Sequence, residues 1–413
     1  MTASAPWWYA VPHYAEIATG LEGVPAIDVH THLGRPIRLF DQPQFVGQPL
    51  RMRSTEPSYA AALSARFRIA VGSEGMAGAL RQADSRRTQV IEELGLIGYL
   101  HDHLDFTNTE VALINRGAPE GTDGRRLRWV PYGSIFLYPL PADELKKRSP
   151  DDATDIGAYQ EALHETVAAH ADGMPSSLGG YLQLVDAAIR HWKAQGAVAL
   201  KFDEAYRRTL VFSEIPFEDA DKLYRDGQAA PLGRDRYLAL QDYVARHLFL
   251  EAGRQDLSIH LHTGPGGSAF LQLRDAEVQN LEPVLTDVQF SGTQFVLIHA
   301  GGPQFGEAIY LASRANVWLD TSALPFVYEV PRLAEIQRDF LRHAPEKVLF
   351  GTDVQLVPVG PEIQHIALTR HAREALYLAL AGMVHDQLVD RESAVRIGRG
   401  VIRENAQRLF GWD

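Results

Sequence analysis

The sequence predicts an α/β protein built on a distorted (β/α)8 barrel of the TIM type, with a helical insertion after its first strand and a helix at its C-terminal end. Three observations predict it. From about residue 196 onward, short apolar runs alternate with longer amphipathic stretches, the pattern of a parallel sheet with crossover helices. Eight such runs occur along the chain, which is the strand number of a closed barrel. Several of them end in histidine, lysine or aspartate, and the carboxyl ends of barrel strands are where this architecture carries its chemistry.

The first strand is read in "AIDVHTH" (26–32), the second in "EVALIN" (110–115) and the third within "RWVPYGSIFLYPL" (128–140). The remaining five are "AVALKF" (197–202), "LSIHLHTG" (257–264), "QFVLIHAGG" (294–302), "NVWLDTS" (316–322) and "KVLFGTDV" (347–354). Between the later runs, "DRYLALQDYVARHLFLEAG", "VPRLAEIQRDFLRHAP" and "HAREALYLALAGMVHDQLV" are the helix candidates. Residues 36–109 are too many for a simple crossover and contain the helix-like "PSYAAALSARFRIAVG", so they predict an inserted cap. In the closing "AVRIGRGVIRENAQRLFGW", Val395, Val401, Ile402, Leu409 and Phe410 fall on one apolar side, which predicts a final helix packed on the barrel. No repeat and no Pro/Gly/Ser-rich linker divides the chain, so 1–413 reads as a single domain. An open doubly wound sheet is the alternative.

Composition narrows the partners. Forty Lys plus Arg against 52 Asp plus Glu leave a net charge of -12, which argues against nucleic acid or an anionic membrane and for a small-molecule substrate. A homo-oligomer is compatible with the same composition. The chain has no cysteine, which excludes disulfides, thiolate zinc ligands and a cysteine nucleophile, so a metal must sit on His, Asp, Glu or a modified Lys. The N-terminal residues carry no secretory pattern and no segment approaches the ~18 apolar residues of a membrane span, so a cytoplasmic protein is expected. Neither a P-loop nor a nucleophile elbow occurs.

Side chains two apart on a strand share a face, so Asp28, His30 and His32 project together. Two imidazoles at a strand end can share one divalent cation, each offering a lone pair at ~2.0–2.1 Å. The same spacing in "HDHL" (101–104) falls in a helix candidate and carries no expected role. What gives the first pair weight is the recurrence of ligand types at later strand ends: Lys201, His260 and His262, His299, and Asp353. Buried without partners, such groups are costly.

With these residues in this order, the chain resembles the amidohydrolase superfamily, whose pattern is His-x-His on the first strand, Lys or Glu on the fourth, His on the fifth and sixth, and Asp on the eighth. "HTG" (262–264), "FGTD" (350–353) and "LKFDEAYR" (200–207) look most like its amidohydrolase-related branch, and Arg403 to Ala406 look like its usual C-terminal close. The resemblance implies one or two divalent ions, zinc expected and manganese the alternative, held by His30, His32, Lys201, His262, His299 and Asp353. His260 is the rival to His262, and the match to "HTG" favours His262. Asp28 is read as a hydrogen-bonding residue rather than a ligand.

Lys201 is one of only six lysines and ends an apolar strand. Beside a cation it would lose its proton or become a carbamate able to bridge two metals; an ion pair with Asp353 and a clamp for a substrate carboxylate stay open as well. His299 is read as a ligand or a hydrogen-bond donor to substrate, against an ordinary core histidine. Asp353 is the expected general base and then general acid, against a capping role. Arg207, Tyr206 and Arg35, with Arg38 and Gln355, are read as substrate-binding residues at the mouth, an arginine gripping a carboxylate with both nitrogens; solvated loop charge is the alternative. The turns "HTGPGGS" and "HAGGP" would also suit a metal-free phosphate site, but that reading leaves the histidines unexplained.

The expected activity is therefore that of a metal-dependent hydrolase, in which a metal-activated water attacks an amide, lactone or ester carbon of a small molecule. A metal-dependent non-oxidative decarboxylase of a small carboxylic acid is the runner-up, and a binding barrel that keeps its metal for structure alone is the third reading.

Overall fold

A computed structural model describes residues 5–33, 56–73, 75–264, 266–268, 270–354 and 361–412. Arg35, Arg38 and Gln355, and the start of the insertion, lie outside the described residues. Among the described residues there are eight strands: β1 (Ala26–Thr31), β2 (Thr109–Asn115), β3 (Leu127–Val130), β4 (Ala199–Phe202), β5 (Ser258–His262), β6 (Phe295–Ile298), β7 (Val317–Asp320) and β8 (Val348–Leu349). Each overlaps one of the apolar runs, β2 and β3 beginning one residue before theirs, and the recorded strand pairings are parallel. Contacts part the chain into two compact units: residues 1–114, 120–128 and 319–413, and residues 115–119 and 129–318.

In the first unit β1 pairs with β2, Asp28 lying opposite Ala112, and β7 pairs with β8, Asp320 lying opposite Leu349. The chain around and beyond β8 then bonds to β1: Val29 N–H donates to Phe350 O at 3.0 Å, Asp353 N–H to His30 O at 2.8 Å and His32 N–H to Val354 O at 3.0 Å. Every residue of β1 is buried, as expected for a parallel strand covered on both faces. Its alternation therefore sorts Ile27 and Val29 to one face and Asp28 and His30 to the other.

The helices of this unit include α1 (Tyr14–Leu21), α2 (Glu56–Phe67) and α3 (Gly75–Phe106), so the insertion is helical over α2 and α3. The path of α3 breaks at Gly95, whose φ of 70° and ψ of 165° are non-helical. Tyr59, Leu63 and Phe67 pack against Ile363 and Ala367 of the helix Pro361–His385. A second cluster joins Tyr99, Leu100 and Leu104 of α3 to Leu33, Val354 and Leu368. Leu33 and Val354 are the neighbours in sequence of His32 and Asp353, so this packing fixes the strand ends that carry them. The final helix expected is present as a continuous helical run, Arg391–Arg399 and Asn405–Phe410 with a π-helical segment over Gly400–Glu404 between them. Asn405 Nδ2 donates to Pro345 O at 2.9 Å and Val348 O at 2.7 Å, tying that segment to the start of β8.

In the second unit β4, β5 and β6 pair in order, Lys201 opposite His260 and His262 opposite Ile298. Its core centres on Phe249, whose ring meets those of Phe202, Phe212, Phe290 and Phe295. Gly264, after β5, has φ of +71°, and a Cβ there would lie 1.9 Å from Gly302 O. Only glycine fits, so "HTG" ends in glycine because of a backbone approach.

Candidate metal centre

β1 and the turn after β8 bring three sequence-predicted residues together. His30 Nε2 lies 3.1 Å and His32 Nε2 3.3 Å from Asp353 Oδ1, and the three side chains each offer a ligand atom within 4.8 Å of the others. A tetrahedral zinc site with bonds of ~2.0–2.1 Å has ligand–ligand edges of roughly 3.3–3.4 Å. Two imidazole nitrogens and one carboxylate oxygen at this spacing therefore fit a divalent ion. His30 and Asp353 are buried and His32 nearly so. Asp353 has φ of +56°, a conformation costing an L-residue about 1–2 kcal/mol, which persists only where the surroundings enforce it.

Asp28 supplies that enforcement. Its Oδ1 accepts from His30 N–H at 3.2 Å and Thr352 N–H at 3.1 Å, and its Oδ2 accepts from the Thr352 hydroxyl at 2.6 Å. Each such bond contributes about 1 kcal/mol net, enough together to offset the strained turn. Asp28 is thus engaged in hydrogen bonds that join β1 to the turn carrying Asp353, and it is not among the three grouped ligand atoms. His365 Nε2 lies 3.2 Å from Asp28 Oδ2, and His103 Nε2 lies 2.9 Å from His365 Nδ1. All three side chains are wholly buried. Burial, and then His365 beside it, hold His103 well below the ordinary histidine range. Sequence reasoning missed this arrangement: His103 is the second histidine of "HDHL", and His365 was not singled out. The available signal was that Leu100 and Leu104 put His103 on an apolar helical face.

The other described residues among those predicted, Lys201, Tyr206, Arg207, His260, His262 and His299, lie in the second unit. His262 has its ring 4.4 Å from that of Tyr206 and 4.7 Å from that of His299, so these three form one cluster. His299 has φ of +68°, a second left-handed non-glycine residue among the predicted site residues. Lys201 is buried beside His260, whose pKa is pushed down to about 3 by burial and then by the Lys201 charge.

Arg207 is buried in a polar network of the same unit. Its Nη1 donates to Asp155 at 3.1 Å and its Nε to Tyr138 Oη at 3.2 Å, while Nη2 pairs with the Asp203 carboxylate. Tyr159 adds a hydroxyl bond to Asp203 at 2.6 Å and a ring face 4.9 Å from the guanidinium. The carboxylates that Arg207 grips here belong to the chain itself. Burial and then the Asp203 charge push Glu204 up to about 7. Burial also raises Asp203, but Arg207 and then Tyr159 outweigh it and leave Asp203 below the usual carboxylate range. Burial raises Asp155 to about 6 against the pull of Arg207.

A family model described as "Amidohydrolase" matches residues 141–412. Among solved structures the fold is similar to that of a uronate isomerase from Thermotoga maritima, with a TM-score of 0.66 at 14% identity, covering 99% of this chain and 100% of that one. It is also similar to a protein described as a metal-dependent hydrolase from Lactobacillus casei, with a TM-score of 0.60 at 17% identity over 96% of this chain and 97% of the other. A glucuronate isomerase from Caulobacter crescentus gives a TM-score of 0.60 at 13% identity, covering 99% and 95% of the two chains. At these identities the likeness is one of fold, and it extends along nearly the whole chain. No curated protein matches the sequence. No helix among the described residues is long and apolar enough to cross a membrane.

Proposed function

The chain belongs to the amidohydrolase family, and on that premise we propose that it is a metal-dependent hydrolase of small molecules, with His30, His32 and Asp353 holding a divalent ion, zinc before manganese. The observation that carries this reading is the spacing of His30 Nε2 and His32 Nε2 about Asp353 Oδ1, at 3.1 and 3.3 Å. A divalent ion held there would supply Lewis acidity, lowering the pKa of the attacking water toward ~7 and polarising the carbonyl. Asp353 then acts as the general base that takes the proton of the attacking water and, as general acid, returns it to the leaving group of an amide, lactone or ester. His30 and His32 would hold the ion through Nε2, the atom each turns toward Asp353. For His299 we propose hydrogen bonding to the substrate or metal ligation, for His262 metal ligation, and for Lys201 a ligand role as its carbamate; these roles rest on the order of the residues along the chain.

The test is elemental analysis of metal per chain, with mass spectrometry of the Lys201 peptide for the carbamate and of products from a substrate panel in ¹⁸O-labelled water. A hydrolase incorporates the label. Release of carbon dioxide without label would establish the decarboxylase instead, and a product of unchanged mass would establish an isomerase, as two of the fold relatives are named. A chain that takes up no divalent ion on reconstitution would sink the reading.

A further inference from the structure

In the same unit as the His30–His32–Asp353 trio stand two further buried histidines, His365 and His103, that are not among its grouped ligand atoms. We propose that Asp28, His365 and His103 form a hydrogen-bonded positioning column that sets the metal affinity of the trio by fixing the backbone that carries His30 and Asp353. This inference rests on the metal centre proposed above.

The hydrogen bonds assign the proton positions. Asp28 Oδ2 accepts, so His365 donates through Nε2–H across 3.2 Å. A neutral imidazole that donates at Nε2 carries its lone pair on Nδ1, and His103 Nε2–H donates to that lone pair across 2.9 Å. His103 thereby selects the tautomer of His365, and His365 orients the Asp28 carboxylate. The other oxygen of that carboxylate holds the amides of His30 and Thr352, one of them a ligand's own amide and the other that of the residue before Asp353. The column thus acts on the ligands through their main chain. Its members come from β1, from α3 and from the helix Pro361–His385, so apolar filling of the same space would have met the packing need without two buried polar rings.

The test is zinc affinity of folded protein by chelator competition, beside the thermal midpoint of the metal-free protein, for wild type, His103→Leu and His103→Gln. A glutamine amide reaches about as far as Nε2 and still donates to His365. Leu at 103 is expected to weaken zinc binding about 10- to 100-fold, the usual effect of removing a partner that supports a ligand, and Gln to restore most of it. Equal zinc affinity in His103→Leu and wild type, whatever the midpoints do, overturns the column and leaves the metal centre standing. A wild-type protein that binds no zinc overturns both. Should the leucine variant fail to fold, ¹⁵N NMR of the imidazoles in metal-free wild type decides: Nε2–H tautomers at His365 and His103 support the column, and an Nδ1–H tautomer at His365 overturns it.

Discussion

Two buried polar clusters differ in what balances them. In the first unit, His30, His32 and Asp353 gather two imidazole nitrogens and one carboxylate oxygen, all of them groups that bind cations. In the second, Asp203, Glu204 and Asp155 gather around Arg207, so the cation is covalently part of the chain. Both lie beyond strand ends, and each has a buried member, His30 in the first and Glu204 in the second, while Asp155 at the edge of the second keeps about half its side chain exposed. The difference teaches that a buried group of acceptors is informative about ligands only once its countercharge has been sought within the protein. The Arg207 cluster carries a counter-cation of its own, while the histidine cluster has the composition and spacing of a metal site.

The largest effect that would sharpen this contrast is expected at Asp353. Asp353→Asn keeps the size but removes the base, and turnover on any substrate found should fall by roughly 10²–10⁴-fold with an unchanged far-UV circular dichroism spectrum. Full activity in this variant would remove Asp353 from the chemistry. The second unit should show the opposite profile. Arg207→Met leaves buried carboxylates uncompensated and should cost about 3–5 kcal/mol in denaturant unfolding, with the metal content per chain unchanged. Loss of metal with no loss of stability would erase the distinction between the clusters.

A smaller effect lies in pH. Glu204, raised to about 7 from an ordinary 4.5, stabilises the fold most below pH 4.5, and that contribution is lost as pH rises through 7. Asp155, raised to about 6, acts with the same sign. His260, lowered to about 3, acts oppositely, favouring the fold above its ordinary 6.5 and losing that contribution as pH falls toward 3. The measurement is therefore a difference: unfolding free energies of wild type and Glu204→Gln between pH 4.5 and 7.5, in which the variant should decline less steeply. Parallel curves would contradict the assignment. Smallest of all should be His101→Leu. His101 pairs with Asp123 at 2.5 Å, but a third of its side chain is exposed, so the loss should stay within about 1 kcal/mol and zinc affinity should not move. It is the control for His103, two residues along the same helix.

Much of this was legible in the sequence. An apolar strand ending in His-x-His states its own geometry, because the two-residue period places both rings on one face, and Asp353 follows an apolar run in the same way. The same signal singles out Lys201, His262 and His299 as candidates. The histidines of the column were not, because a helical residue acquires meaning from what its face packs against, and 262 residues separate His103 from His365. Arg207 shows the converse limit. In "LKFDEAYR" its charge reads equally well as a substrate clamp or solvated loop, and only the fold shows the buried guanidinium paired with Asp203 and lying over the Tyr159 ring.

The bond from Thr352 to Asp28 spans 324 residues. At the usual pace of translation, roughly 15 to 65 s pass between the emergence of its two ends from the ribosome. Throughout that interval the nascent β1 has one edge still waiting for its neighbour, a state prone to mispairing. The chain thus acquires its cation-binding geometry only once Asp353 has been added, and fragments released before that would carry both histidines without the aspartate that completes them.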